Sequence, residues 1–334
     1  MELAIAIAGT FILTSALWLL AMNLSTGEKK ITQPLRVSFS VADEKFTRVM
    51  GGLLGPALVP GNRVTAFYNG DEIFPAMLES ISQATRCICF ETYIYWSGEI
   101  GKRFSHALAE KARKGVKVHV LLDWAGSAKI DEHYLEEMCD AGVEVERFHP
   151  IRWYTLTRIN NRTHRKLLIV DGRIGFTGGV GISDKWTGHA QDKDHWRDSH
   201  FRIEGPSVMQ MQAAFIDNWT RVRGCLLHQD EYFPKIEPSG TSLAQVFKSS
   251  RDEGSESVRV MYLLSIAAAR KSIHLSASYF VPDDLAVATL GEAAKRGVKV
   301  EIIVPGSLID ASVVRRASRA RWGGLLEAGV EIYE

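Results

Sequence analysis

The stretch "NRTHRKLLIVDGRIGFTGGVG", from Asn161 to Gly181, carries the residues of this sequence best suited to chemistry. His164 and Lys166 are two residues apart, so on an extended strand their side chains project from the same face. Asp171 follows the apolar run "LLIV", which completes the pattern H-x-K-x-x-x-x-D. This spacing predicts a strand with a reactive face, since a strand with only a structural role in an interior would place apolar residues there.

A phosphodiester is the substrate that these side-chain types suit. A neutral imidazole can attack phosphorus, and a nearby lysine can hold the phosphoryl oxygens on which negative charge grows. Asp171 could fix the tautomer and orientation of a histidine, as the third member of a nucleophile, base and orienter set. Glycines after the strand, Gly178 and Gly179 among them, permit tight turns and the close approach of a ligand to the backbone. This chemistry needs no metal and no cofactor, and we predict none.

The elements that must position this motif alternate between strands and helices. "RVTAFYNG" reads as a strand and turn, "EIFPAMLESISQAT" as a helix, "CICFETYIYW" as a strand and "IGKRFSHALAEKARKG" as a helix before the strand "VKVHVLLDWA". Such alternation predicts an α/β fold with a largely buried sheet.

An internal repeat divides the chain into two related α/β halves. "EKARKGVKVHVLLD" from Glu110 returns as "EAAKRGVKVEIIVP" from Glu292, at an offset of 182, and "AGVEVERF" from Ala141 returns as "AGVEIYE" from Ala328, at an offset of 187. We predict a first half over 62–240, which carries the motif, and a second half over 241–334 that stops before an equivalent motif. Residues 25–61 are predicted to be a linker or a packed entry loop, because they are rich in Gly and Pro near their end.

The N-terminus predicts a membrane anchor. Residues 3–24 contain no charged side chain, and a helix of that length spans about 33 Å, enough to cross a bilayer. Basic residues just after it, Lys29, Lys30 and Arg36, predict that the following catalytic part lies in the cytoplasm.

The charge and the cysteine content of the chain limit the remaining classes of function. Forty Lys and Arg residues against 39 Asp and Glu residues give a net charge of +1, so no global field draws the chain to nucleic acid and no nucleic-acid partner is expected. The four cysteines show neither metal-site spacing nor a dense disulfide framework. We therefore predict buried thiols in a reducing compartment.

The quoted motif resembles the HKD motif of the phospholipase D superfamily. "GNRVTAFYNGDEIFPAMLESISQA", "ETYIYW", "NNRTHRK" and "HWRDSHFRIEGP" together are similar to segments of bacterial cardiolipin synthases, from about Gly61 to the end of the chain. The resemblance implies a phospholipase D-like fold of two tandem halves with mostly buried mixed or parallel sheets, plus the N-terminal transmembrane helix. The family pattern often ends G-[GS]-x-N, whereas this sequence has Gly181 in the last position.

The resemblance also implies an activity and a set of site residues. Cardiolipin synthases move a phosphatidyl group between phosphatidylglycerol molecules through a phosphohistidine and release glycerol. His164 would be the nucleophile or its acid/base counterpart, Lys166 the phosphate ligand and Asp171 the support of a histidine. Substrate-binding residues are expected at Glu91, Gly178, Gly179, Arg162 and Asp198. Asp198 and His200 alternate in "RDSHFRI" and are expected near the site, with a structural hydrogen-bonding role for them equally open.

Three functions remain open at the level of sequence. The first is the phosphatidyl transfer, at a bacterial inner membrane, with phosphatidylglycerol as the expected phospholipid. The second is a phospholipase D-type hydrolase or nuclease, with water as the acceptor. The third is an inactive fragment that binds lipid or a partner. Because family sites use two HKD motifs, a homodimer or a complementing chain with a second motif is an expected partner.

Overall fold

The computed structural model describes residues 1–24, 31–150, 161–249 and 255–334. The helices of those residues are α1 (Glu2–Leu24), α2 (Glu44–Leu54), α3 (Asn69–Gln83), α4 (Glu99–Arg113), α5 (Glu132–Asp140), α6 (Val208–Arg223), α7 (Ser255–Ala268), α8 (Asp284–Lys295), α9 (Ser312–Arg319) and α10 (Gly323–Glu327). The strands are β1 (Val59–Tyr68), β2 (Cys87–Thr92), β3 (Lys117–Asp123), β4 (Glu144–Phe148), β5 (Leu167–Val170), β6 (Ile174–Gly178), β7 (Ser199–Glu204), β8 (Ser242–Ala244), β9 (Ser272–Ser276), β10 (Lys299–Ile303) and β11 (Glu331–Tyr333).

Two compact units share these elements. Among the described residues, the first unit consists of 1–24 and 59–249, and the second of 31–58 and 255–334. The segment before β1, which the sequence analysis assigned to a linker or packed entry loop, contains regular structure. Within it α2 forms an amphipathic helix, capped by the Asp43 side chain and burying Met50 and Leu54. The Arg270 side chain of the second unit also donates a 2.9 Å hydrogen bond to the carbonyl oxygen of Phe39, so this segment is part of the second unit.

The first unit is built on a mixed sheet of eight strands in the order β4-β3-β2-β5-β6-β7-β1-β8. The strands β2, β3 and β4 are parallel, whereas β5 is antiparallel to β2 and to β6. This arrangement confirms the predicted α/β class. It also places the start of β5, where the H-x-K residues lie, between the parallel and antiparallel parts of the sheet.

Both faces of this sheet are covered, which explains the continuous apolar run of β2. Ile88 and Phe90 pack into one core with Phe104 of α4, while Cys87 and Cys89 alternate into the opposite core against α6. A strand buried on both faces has no polar face of its own. The buried Glu91 at the end of β2 is therefore an exception that needs a local explanation.

The second unit repeats the parallel part of the first. Its sheet has the order β11-β10-β9, with all strands parallel, which matches β4-β3-β2 in the first unit. The strands β3 and β10 begin at Lys117 and Lys299, and β4 and β11 begin at Glu144 and Glu331. These pairs reproduce the sequence offsets of 182 and 187, so the two tandem α/β halves predicted from the repeat are present.

Two further expectations have different outcomes. The helix over Glu2–Met22 is long and apolar enough to cross a membrane, by length and composition, as predicted. The prediction of four buried thiols is wrong for two of them. Cys87 and Cys89 are buried in the sheet, but Cys139 and Cys225 are exposed, because they lie near helix ends rather than on a strand covered from both sides.

Candidate active site

His164 and Lys166 lie together at the entrance to β5. The residues just before Leu167 have no assigned secondary structure. Their side chains still alternate, since Thr163 and Arg165 contact α6 whereas His164 and Lys166 contact each other. Lys166 Nζ lies 3.4 Å from both His164 ring nitrogens and donates a 3.1 Å hydrogen bond to the His164 carbonyl oxygen. The ring of Tyr93 is tilted against the imidazole, with 4.9 Å between centroids. The imidazole thus contacts both a cation and an aromatic ring.

The two side chains adjust each other's protonation. His164 is exposed to solvent on one side, yet partial burial, together with the nearby Lys166 charge, lowers the pKa of His164 to about 4. Lys166 is only 8% exposed, and burial lowers its pKa to about 8, against the opposing effect of Asp198. At neutral pH the pair is therefore a neutral imidazole beside a largely protonated amine. Such a pair can supply a nucleophile and a ligand for an anionic oxygen.

A buried polar cluster on the opposite face of the chain positions this segment. Thr163 donates its hydroxyl to Glu91, and Asn218 of α6 donates to the same Glu91 oxygen at 2.7 Å. The Thr163 backbone N–H donates to Asp123 at 3.0 Å. Glu91 is fully buried, and burial raises its pKa to about 7 despite the nearby Arg165 charge and these two hydrogen bonds. Glu91 therefore holds the residue before His164, and the structure does not bring its carboxyl onto the His164 ring.

Two arginines flanking His164 are tied into the interior in the same way. Arg162 donates to the His149 carbonyl oxygen at 2.6 Å and lies 3.7 Å from the Asp123 carboxylate. Arg165 donates to the Ala214 carbonyl oxygen at 2.7 Å and pairs with Asp217 of α6 at 3.2 Å. The Arg162 side chain is only 15% exposed, and these two contacts hold it in the protein interior. A substrate-binding role for it stays a prediction.

Asp198 and the two glycines form the next part of the site wall. Trp186 Nε1 donates to Asp198 Oδ2 at 3.1 Å, and the Ser199 N–H donates to Asp198 Oδ1 at 2.8 Å. Burial raises the Asp198 pKa above its ordinary value, and those hydrogen bonds and the Lys166 charge counteract the rise. A Cβ on Gly179 would overlap the Asp198 carboxylate, and one on Gly178 would lie 2.5 Å from His200 Nδ1. The glycines are therefore required by the close approach of Asp198 to Gly179 and of Ser199 and His200 of β7 to Gly178.

Asp171 lies elsewhere, which corrects the role expected for it. Its carboxylate accepts hydrogen bonds from the backbone N–H groups of Thr85, Arg86 and Cys87 and from the Thr85 hydroxyl, at 2.7–3.2 Å. The four residues of β5 lie between Asp171 and Lys166, so along an extended chain Asp171 is about 17 Å from Lys166 and about 23 Å from His164. Asp171 therefore cannot orient His164 directly. It fixes the turn that leads into β2.

Sequence reasoning missed the residues that support His164 from α6 and β3. Asn218 and Asp123 are separated from the motif by 55 and 40 positions, and neither belongs to a recognisable pattern. Tyr95, two residues after Tyr93, is fully buried in the core, where its hydroxyl donates to the Gly101 carbonyl oxygen. In the parts of the chain that the structure describes, no group of three or more His, Cys, Asp or Glu side chains is placed to hold a metal ion.

Comparison with known proteins agrees with this fold and motif. The family described as "Cardiolipin synthase, PLD-like domain" matches residues 77–219 and 262–334. The cardiolipin synthase of Geobacillus thermodenitrificans is 38% identical over 269 residues, which are 80% of this chain and 53% of that protein. Cardiolipin synthase 1 of Bacillus anthracis is 34% identical over 314 residues, which are 91% of this chain and 62% of that protein.

A solved structure shares the fold over most of the chain. Phosphatidylserine synthase of Haemophilus influenzae aligns with a TM-score of 0.58, covering 87% of this chain and 77% of that one, at 14% sequence identity. At that identity the likeness concerns the fold alone. This chain spans about half the length of the curated relatives it matches. Since the family match covers more than half of the chain, on both repeats, the chain belongs to the cardiolipin synthase family with a phospholipase D-like domain.

Proposed function

We propose that this chain provides the His164 half of the active site of a phosphatidyltransferase that makes cardiolipin from two phosphatidylglycerol molecules. The observation that carries the proposal is the pairing of a neutral, partly exposed imidazole with a buried ammonium 3.4 Å away. The identity to cardiolipin synthases over 80% of the chain supports the choice of substrate.

The proposed reaction proceeds in two displacements at phosphorus. A ring nitrogen of His164 attacks the phosphodiester, a P–N bond forms, and the P–O bond to glycerol breaks as that alcohol takes a proton from a general acid. In the second step the hydroxyl of another phosphatidylglycerol loses a proton to the same group and attacks, and the P–N bond breaks. Lys166 binds the phosphoryl oxygens in both transition states, since negative charge develops there.

The general acid of this scheme is a second histidine. His164 is the one H-x-K-x-x-x-x-D histidine in the 334 residues, and family sites pair two such motifs. We propose that the second group comes from another HKD motif outside these 334 residues, for which a second copy of this chain and a complementing chain are the candidates tested below. His164 and that histidine would exchange the nucleophile and acid/base roles only if the two motifs meet symmetrically.

A trapping experiment tests the nucleophile. The chain in detergent micelles is mixed with phosphatidylglycerol labelled with ³²P, with and without a separately expressed second-motif fragment, and is quenched in alkali. We expect an acid-labile, alkali-stable label on the wild-type protein and none on His164→Asn. The exposed His133 provides the matched control, because His133→Asn should keep the label. Retention of label by His164→Asn would refute the proposed role.

The products of the same reaction separate the alternatives. Cardiolipin and free glycerol indicate transfer, whereas phosphatidic acid indicates hydrolysis with water as the acceptor. A parallel incubation with labelled oligonucleotides tests the nuclease alternative, for which we expect no cleavage. Label transfer only in the presence of the added fragment would show that the catalytic site is shared between chains.

We further propose that α1 anchors the chain in a bacterial inner membrane with the catalytic part in the cytoplasm. The uncharged helix over Glu2–Met22 supports the anchor. Lys29 and Lys30, on which the orientation depends, lie outside the described residues. Fluorescent and alkaline phosphatase reporters fused after Glu334 test this orientation. We expect the fluorescent fusion to be active. An active phosphatase fusion would instead show that the catalytic part lies outside the cytoplasm.

A further inference from the structure

His200 is a buried histidine whose two ring nitrogens have no protein partner. It lies on β7 and is 1% exposed, and in the described parts of the chain neither Nδ1 nor Nε2 makes a hydrogen bond. A neutral imidazole carries one N–H donor and one acceptor nitrogen. Buried polar groups are almost always hydrogen-bonded, so two orphaned atoms on one buried ring call for an explanation.

The strand register places this ring beside Lys166. Leu167 pairs with Thr177, and Gly178 pairs with His200, so continuing the first pairing by one residue sets Lys166 opposite Gly178. Directly opposed residues on neighbouring antiparallel strands project from the same face. Because Gly178 has no side chain, nothing separates Lys166 from His200 in this row, and a Cβ on Gly178 would lie 2.5 Å from His200 Nδ1.

The electrostatics agree with this proximity. Burial, followed by the charge of Lys166, lowers the pKa of His200 to about 3, so the ring is neutral at physiological pH. Lys166 uses one of its three N–H donors on the His164 carbonyl oxygen. Asp198, two residues before His200, is already bonded by Trp186 and Ser199. His200 is therefore a neutral group beside Lys166 whose ring N–H is not donated to any other described residue.

We propose that His200 is a phosphate-binding residue, whose N–H donates to a phosphoryl oxygen of the phosphodiester bound by Lys166 while its other nitrogen accepts from the Lys166 ammonium. This inference rests on the proposed function, since it names a further contact of the same site. It accounts for both orphaned nitrogens at once. It also gives Gly178 a reason to lack a side chain, because a Cβ there would displace the His200 ring from Lys166.

The first test observes both histidines in the unmodified protein. The full chain, labelled with ¹⁵N-histidine in detergent micelles, is titrated with inorganic phosphate, and ring correlations are recorded by NMR. The signals are assigned with His164→Asn and His200→Phe. We expect phosphate to shift the ring signals of His164 and His200 with one common affinity. Lys166→Met should abolish both shifts, because the ammonium is the shared anion contact.

The second test measures affinity by isothermal titration of the same phosphate. His200→Phe should weaken binding about tenfold, the usual consequence of losing one hydrogen bond to an anion, and His200→Asn should recover part of the loss because its amide can donate. His228 is exposed, so His228→Phe is the matched control and should bind as the wild type does. Thermal denaturation of each variant checks that the fold is retained.

The outcomes separate this inference from the function on which it rests. If phosphate shifts the His164 signals but leaves those of His200 unchanged, the inference is wrong and the proposed function stands. If phosphate shifts neither ring at concentrations that saturate other phosphate-binding enzymes, both fail. Equal affinity in wild-type protein and a folded His200→Phe variant would also overturn the inference, whatever the behaviour of His164.

Discussion

Lys166 Nζ lies at the same distance, 3.4 Å, from Nδ1 and from Nε2 of His164. The two ring nitrogens are about 2.2 Å apart, so a lysine aligned with the lone pair of one of them would be clearly nearer to that one. Neither nitrogen therefore accepts a well-aligned hydrogen bond from the lysine. The ammonium acts on the histidine through its charge, and a ring nitrogen remains available to attack phosphorus.

Removing that charge should make His164 easier to protonate. In Lys166→Met the pKa of His164 should rise from about 4, because a neighbouring cation disfavours the imidazolium ion. It should stay below 6.5, since burial is the larger cause of the shift and remains in the variant. NMR titration of the His164 ring measures the change. Lys193 is exposed, so Lys193→Met is the control, and an unchanged His164 pKa in Lys166→Met would contradict the electrostatic coupling.

The buried Glu91 should make stability depend on pH. Its folded pKa of about 7 exceeds the ordinary 4.5, so the folded state binds the extra proton and stability falls as pH rises from 4.5 to 7. The difference of about 2.5 pKa units corresponds to roughly 3 kcal/mol. Urea denaturation of the wild type and Glu91→Gln at pH 4.5 and pH 8 measures this loss as a difference between the two proteins, because the lowered pKa values of His164 and His200 change stability in the opposite direction in both. The stability of the wild type relative to Glu91→Gln should fall by this amount from pH 4.5 to pH 8. The exposed Glu136 serves as the control, and a difference that does not change with pH would rule out this assignment.

Asp171 should be a stability residue rather than a partner of His164. Asp171→Ala removes the acceptor of three backbone N–H groups, of which the Cys87 N–H is partly buried and those of Thr85 and Arg86 are exposed, and this should cost about 1–3 kcal/mol. Burial acts to raise the Asp171 pKa, but the hydrogen bonds from Cys87, Thr85 and Arg86 outweigh it and hold the pKa below 3.8. This stabilisation is present above pH 3.8 and is lost as pH falls through the folded pKa.

Two measurements on folded Asp171 variants check that assignment. Thermal denaturation should show the loss of stability in Asp171→Ala, with the exposed Asp140→Ala unaffected. The ring signals of His164 in Asp171→Asn should match those of the wild type. A changed tautomer of His164 in that variant would restore the direct orienting role that the structure excludes.

Gly181 should resist replacement by the asparagine that the family pattern often has. A Cβ at this position would lie 2.8 Å from Ile94 Cβ and 3.1 Å from the Ile94 carbonyl oxygen. The backbone of Ile94 is also fixed there, because it accepts a 2.9 Å hydrogen bond from the Ile182 N–H. Gly181→Asn should therefore lower the free energy of unfolding by about 1–3 kcal/mol. Equal stability of wild type and Gly181→Asn would show that Ile94 can move.

Gly324 offers a matched control for that substitution. Its nearest neighbour for an added Cβ is 3.8 Å away, in ordinary van der Waals contact. Gly324→Ala should therefore change thermal stability little, whereas Gly181→Ala should already reproduce most of the loss seen with Gly181→Asn. The pair separates the effect of a new side chain from the general effect of replacing glycine.

The sequence by itself determined the fold class, the repeat and the reactive pair. These features depend on local patterns: alternation of strands and helices, two offsets shared by several segments, and a two-residue spacing that keeps His164 and Lys166 on one face. The uncharged N-terminal helix could be predicted in the same way, because length and composition alone decide whether a helix can cross a membrane.

Only the tertiary structure decided what surrounds that pair. Asp171 belongs to the same motif in sequence, yet the four residues of β5 place it at the other end of that strand, where it binds the turn before β2. Asn218 is 55 residues beyond Thr163 and still shares its polar cluster. Strand register set His200 beside Lys166 across a glycine. Spacing along the chain fixes which face a side chain takes, but distances between strands and helices depend on sheet order and packing, which no local pattern encodes.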